Sequence, residues 1–77
     1  MRMDLSKFKR GMFIRIQMND GTITHGKIID ESKQNHYIRY AAYKSGQLDH
    51  HGRITFSCNP DIVEILDIDE FQFKLLS

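Results

Sequence analysis

The feature that most constrains this chain lies near its start. Residues 12–18 read Met-Phe-Ile-Arg-Ile-Gln-Met, and after Phe13 they alternate. Ile14, Ile16 and Met18 point one way; Arg15 and Gln17 point the other. Period two is the mark of a half-buried β-strand. Asn19-Asp20-Gly21 follows, then the β-branched run Thr22-Ile23-Thr24. Asp-Gly between two strand-like runs is a strong hairpin signal, because a tight turn needs positive φ and glycine takes it without steric cost. The spacing therefore predicts a turn with Gly21 at positive φ and a return strand over 22–30. Gly26 interrupts that strand, where a glycine marks a bulge or a sharp bend.

The remaining chain punctuates itself in the same way. Residues 36–44 read as a third strand, carrying Tyr37, Ile38, Arg39, Tyr40 and Tyr43. Residues 45–52 are either a loop or a long hairpin turning at Ser45-Gly46. A fourth strand is expected over 53–57, with Ile54 and Phe56 on one face, and a fifth over 62–66 after the turn Asn59-Pro60-Asp61. Residues 67–77 fit neither period and are open to a short helix or an edge strand. Ahead of the strands, residues 4–10 read as one short helix. Asp4 is its cap, Leu5 and Phe8 share a face, Lys9 and Arg10 suit its C-terminal end, and Gly11 terminates it. The fold class is all-β with one short N-terminal helix, and the expected architecture is a small five-stranded, strongly bent barrel. Closure would remove exposed strand edges. Residues 1–77 make one domain, with the barrel over 12–66 and an extension over 67–77.

Size adds a further expectation. A core built from 77 residues contributes only roughly 3–5 kcal/mol. Cys58 is the one cysteine, so no internal disulfide is possible. Self-association is expected from the short chain, the missing disulfide and the surplus apolar residues of the ending, with Phe71, Phe73, Leu75 and Leu76 as contacts. Composition is 40% hydrophobic and 27% charged, which excludes a disordered chain, and no run is long enough for a membrane helix. Met1–Leu5 lacks the apolar stretch of a signal peptide, and a lone thiol fits a reducing compartment, so a cytoplasmic location is expected.

Chemistry-bearing patterns are few. Cys58 has no activating context and reads as a packing residue. His25, His36, His50, His51 and Cys58 lack the paired spacing of a zinc site, and adjacent His50 and His51 point to opposite faces of a strand. No paired carboxylates and no Gly-rich phosphate loop appear, so neither an enzyme nor a cofactor is expected. Charge is more informative. Residues 1–60 hold ten Lys/Arg against five Asp/Glu, and residues 61–77 hold one against five. A basic body with an acidic ending suits a polyanion partner or its regulation. Within the third strand, Tyr37, Arg39 and Tyr43 share a face, with Ala41 as a flat gap, while Tyr40 lies opposite with Ile38. Aromatic rings interleaved with a planar cation suit stacked bases or nucleotides. Lys33 and Lys44 bracket this strip. The competing reading makes the tyrosines core residues.

Residues 11–28 resemble the first motif of Sm-like proteins, the family that includes Hfq-type barrels. The correspondence runs through Gly11, Ile14-Arg15-Ile16, Asn19-Asp20-Gly21, Thr22-Ile23-Thr24-His25 and Gly26-Lys27-Ile28; Asp30 follows, with Asn35 about one residue displaced. In place of that family's second motif, an Arg-Gly-type turn, stands Cys58-Asn59-Pro60-Asp61. The segment from Phe56 to Ile65 is similar to the close of a Src-homology-3-like barrel. The Sm-like resemblance implies a five-stranded bent barrel, ring formation and RNA binding. Two functions are therefore expected in competition. One is a non-enzymatic binder of RNA, other nucleic acid or a nucleotide; the alternative is a protein-interaction module or small inhibitor of a partner protein.

Overall fold

The computed structural model describes residues 5–32, 36–55 and 61–76, the side chain of residue 76 excepted. Five strands run in chain order: β1 (Phe13–Met18), β2 (Ile23–Glu31), β3 (Tyr37–Lys44), β4 (Gln47–Thr55) and β5 (Ile62–Ile68), followed by the helix α1 (Glu70–Leu76). All neighbours are antiparallel, in the order β4-β3-β2-β1-β5.

The first hairpin turns as expected. Gly21 sits at φ +91°, its N–H donates to the Met18 carbonyl over 3.1 Å, and the Thr22 N–H donates to the Asp20 carboxylate over 2.8 Å. The Thr22 hydroxyl first, and this backbone bond second, hold the exposed Asp20 carboxyl below its ordinary value. The second hairpin turns at Ser45-Gly46, with both residues at positive φ, as two-residue turns between twisted strands require. β4 consequently begins at Gln47 rather than at 53 and extends the hairpin over the segment that was open to a loop. Phe56 and residues 57–60 lie outside the described residues.

Alternation sorts the side chains into two layers. Ile14 and Ile16 of β1, Ile28 of β2, Ile38, Tyr40 and Ala42 of β3, Ile54 of β4 and Ile65 of β5 form the core. Leu5 and Phe8 complete it from the N-terminal segment. That segment is not the expected helix. Two successive turns, Phe8 N–H to the Leu5 carbonyl and Met12 N–H to the Lys9 carbonyl, each over 3.1 Å, carry residues 5–12 instead. So short a stretch does not offset the cost of helix nucleation, and Gly11 and Ile28 are already bonded to the ladder. The Gly11 N–H donates to the Ile28 carbonyl and the Ile28 N–H to the Met12 carbonyl, each over 2.8 Å. Gly11, at φ +94°, links the turns to the strand. Asp4, the expected cap, lies outside the described residues.

Three irregularities bend the sheet. Ile29, Asp49 and Val63 are each the extra residue where one strand slips against its neighbour. Ile29 and Val63 are exposed although apolar. The bulge in β2 falls at Ile29, not at Gly26. Gly26 serves a different need, since a Cβ there would stand 3.0 Å from the Ala41 carbonyl oxygen.

Closure is where the architecture departs from the expected barrel. Among the described residues β4 pairs only with β3 and β5 only with β1, so the sheet is open with two edges. A bent open sheet needs cover on both faces. The N-terminal turns supply it on one, and α1, which resolves the ambiguity of the ending in favour of a helix, supplies it on the other.

Candidate functional site

The second face of the sheet carries the sequence-derived candidates. Phe13 and Arg15 of β1 stand opposite Lys27 and His25 of β2, which stand opposite Ala41 and Tyr43 of β3. Further along β3 the same face presents Arg39 and Tyr37, and β4 adds His51 and Arg53. Partners directly across an antiparallel ladder share a face, so all of these side chains belong to one surface.

At one end of that surface lies a basic-aromatic group. The Arg39 guanidinium stands 5.9 Å from the centre of the Tyr37 ring, and the Arg53 guanidinium 5.4 Å. Both distances fall within reach of cation–π attraction. Arg39 and Arg53 are also directly opposite each other across the ladder. Like charges so placed are unfavourable by about 0.2–1 kcal/mol. Asp30 stands across β3's other side, opposite Arg39, but its carboxylate accepts the Glu31 N–H over 2.9 Å. Among the described residues neither guanidinium forms an ion pair. Beside them, an open depression of about 380 Å³ is lined by Ile29, Arg39, His51, Gly52 and Arg53.

At the other end the surface is covered. Phe73 of α1 packs against Phe13, with ring centres 4.6 Å apart, and edge-on against Tyr43 at 5.6 Å. Ala41 is only 3% exposed, so the flat gap expected between the tyrosines is filled. The structure thus brings Tyr37 and Arg39 together and separates them from Tyr43, which is half-buried in an aromatic cluster. Lys44 is exposed beside the Ser45-Gly46 turn, at the far end of β3 from Tyr37. Lys33 lies outside the described residues. Arg53 and His51 are additions that sequence reasoning did not place in the site.

The expected contacts of the C-terminal segment divide as well. Phe71 and Leu75 are 75% and 72% exposed, whereas Phe73 is 8% exposed and belongs to its own chain's packing. Leu76 has no described side chain.

A second group of polar residues occupies the middle of the face. His25 has an Nε2 atom that is buried without a hydrogen-bond partner. Burial first, and the Arg15 charge second, hold the imidazole below its ordinary value. Among the described residues no cluster of three or more His, Cys, Asp or Glu is gathered, and no helix is long and apolar enough to cross a membrane. Comparison of the chain with protein-family models, with curated proteins and with solved structures gives no match.

Proposed function

We propose that this protein binds single-stranded nucleic acid through the surface made by Tyr37, Arg39 and Arg53. One observation carries the reading: two guanidinium groups flank a single tyrosine ring and face each other across the ladder without a described carboxylate to neutralise them. A phosphate between them offsets their repulsion, and an unstacked base finds an aromatic ring and planar cations to stack on. His51 widens the basic edge, and the depression beside it has room for a backbone to pass. RNA is the favoured nucleic acid on the resemblance of residues 11–28 to the first Sm-like motif. The open, bent five-stranded sheet is compatible with that small-barrel class.

The test is binding of a fluorescent single-stranded oligouridylate, followed by anisotropy across a salt series. Arg39→Ala and Arg53→Ala are each expected to weaken binding and to lower the salt slope by about one. Tyr37→Ala is expected to cost about 1–3 kcal/mol while leaving that slope unchanged. Lys44→Ala, at the far end of β3 from Tyr37, should lower the salt slope less than either arginine change. Binding that is absent, or indifferent to all three of Tyr37, Arg39 and Arg53, removes the proposal.

A second reading rests on α1. Phe71 and Leu75 lie one turn apart on the side of the helix away from Phe73 and form an exposed apolar ridge. This ridge supports a protein partner or a further copy of the chain.

A further inference from the structure

Between β1, β2, β5 and α1 lies a depression of about 470 Å³. Arg15 and His25 form its polar wall, Gln72 of α1 also lines it, and Ile23, Leu66 and Ile68 supply apolar walls. We infer that this depression binds a small amphipathic oxyanion, a carboxylate or phosphate monoester whose apolar part lies on Ile23, Leu66 and Ile68.

Three observations converge on that assignment. His25 Nε2 is buried without a partner among the described residues, although a buried ring nitrogen ordinarily has one. Arg15 stands directly opposite His25 across the ladder, so a cation and an unsatisfied imidazole nitrogen share one spot on the sheet face. Arg15 has no ion pair with a described carboxylate. Asp67 joins the rim, but alternation along β5 puts it opposite Ile14, on the other face from Leu66 and Ile68. An oxyanion seated there accepts from the guanidinium, and a turn of the His25 ring brings its covered Nε2–H to the same anion. Gln72 offers a third, neutral donor. Apolar walls with a few converging polar groups are the usual make-up of a small-molecule site.

The site is distinct from the nucleic-acid surface proposed above. His25 stands opposite Tyr43, and Arg39 lies four residues further along β3, about 13 Å at the rise of a strand.

The experiment is an amide and side-chain NMR titration of the full chain with phenyl phosphate, and in separate arms with benzoate, inorganic phosphate and phenol. Saturable shifts confined to Arg15, Ile23, His25, Leu66, Ile68 and Gln72 are expected with phenyl phosphate. Benzoate shifting the same residues more tightly assigns the carboxylate source; the reverse order assigns the phosphate. Phenol, which lacks the anion, is expected to bind at least about tenfold more weakly, as loss of a charge-assisted bond requires. Arg15→Gln and His25→Gln should each weaken phenyl phosphate by about tenfold as well, whereas Arg39→Ala should leave it unchanged. The proposal is overturned by non-saturating shifts in every arm, by phenol binding as well as the anions, or by Arg39→Ala acting as strongly as Arg15→Gln. Because the titration of the unaltered protein maps the site directly, the outcome stands even where a variant fails to fold.

Discussion

Gly52 shows how closely single residues are matched in this core. It pairs with Tyr40 across the β3–β4 ladder, and a Cβ at that position would overlap Cζ and Oη of the Tyr40 ring. The ring fills the space a side chain would take, and its burial raises the phenol above its ordinary value. His50 meets the same ring edge-on at 6.2 Å. Replacing Gly52 with Ala is therefore expected to destabilise by about 1–3 kcal/mol, the usual cost of overpacking. Thermal denaturation measures it, and the double change Gly52→Ala with Tyr40→Leu should recover part of the loss. A Gly52→Ala protein as stable as the parent would show that Tyr40 does not depend on this gap. Gly26 is crowded in a related way: a Cβ there would stand 3.0 Å from the Ala41 carbonyl oxygen and 3.1 Å from the Tyr40 ring, so a neighbour must shift slightly to admit one.

Among the elements, α1 depends most on a single contact. Seven residues are too few to hold a helix alone. Asp69 caps it, accepting the Gln72 N–H over 2.7 Å, and Glu70 pairs with Lys74 over 3.2 Å one turn later. Both interactions are exposed, and such pairs contribute little. What remains is Phe73, seated between Phe13 and Tyr43. Its replacement by Ala should cost about 1.5–3 kcal/mol, the transfer free energy of one buried phenylalanine. The loss is expected to be local. Hydrogen exchange should show amides 72–76 losing protection while the β2–β3 ladder keeps its own. Protection lost equally throughout the sheet would mean instead that α1 is part of the global cooperative unit.

For the molecule as a whole, the open sheet leaves β4 and β5 each with an edge unpaired among the described residues, and α1 leaves Phe71 and Leu75 in water. Unprotected edges and an apolar ridge favour association, and a chain of 77 residues gains stability from it. Sedimentation velocity is expected to find a species larger than the monomer at high micromolar concentration. Phe71→Ser with Leu75→Ser should shift it toward the monomer without unfolding, since neither side chain enters the core. Truncating the last seven residues is a poorer probe, because it also removes Phe73 from its own chain. A monomer at that concentration in the unaltered protein ends the idea.

Much of this arrangement was legible from local patterns. Alternation along residues 14–18 specifies which face of β1 is buried, and Asp20-Gly21 specifies the first turn, because strand period and positive φ are properties of neighbouring residues. The same parity puts Tyr37 with Arg39 and sends Tyr40 to the core. Other features depended on contacts between segments far apart in the chain. A two-residue turn at Ser45-Gly46 pairs Lys44 with Gln47, and carried along the ladder unbroken that register would put Gly52 opposite Arg39. The extra residue Asp49 shifts it by one, and Arg53 takes that place while Gly52 meets Tyr40. Neither half of the candidate site's charge pair therefore announces the other. The N-terminal turns replace a helix because Gly11 and Met12 are drawn into the β1–β2 ladder. The C-terminal helix separates Tyr43 from Tyr37 because Phe73 finds Phe13 beside it. Register across a bulge and the docking of a short helix are settled by packing, where the energies of many residues are weighed together.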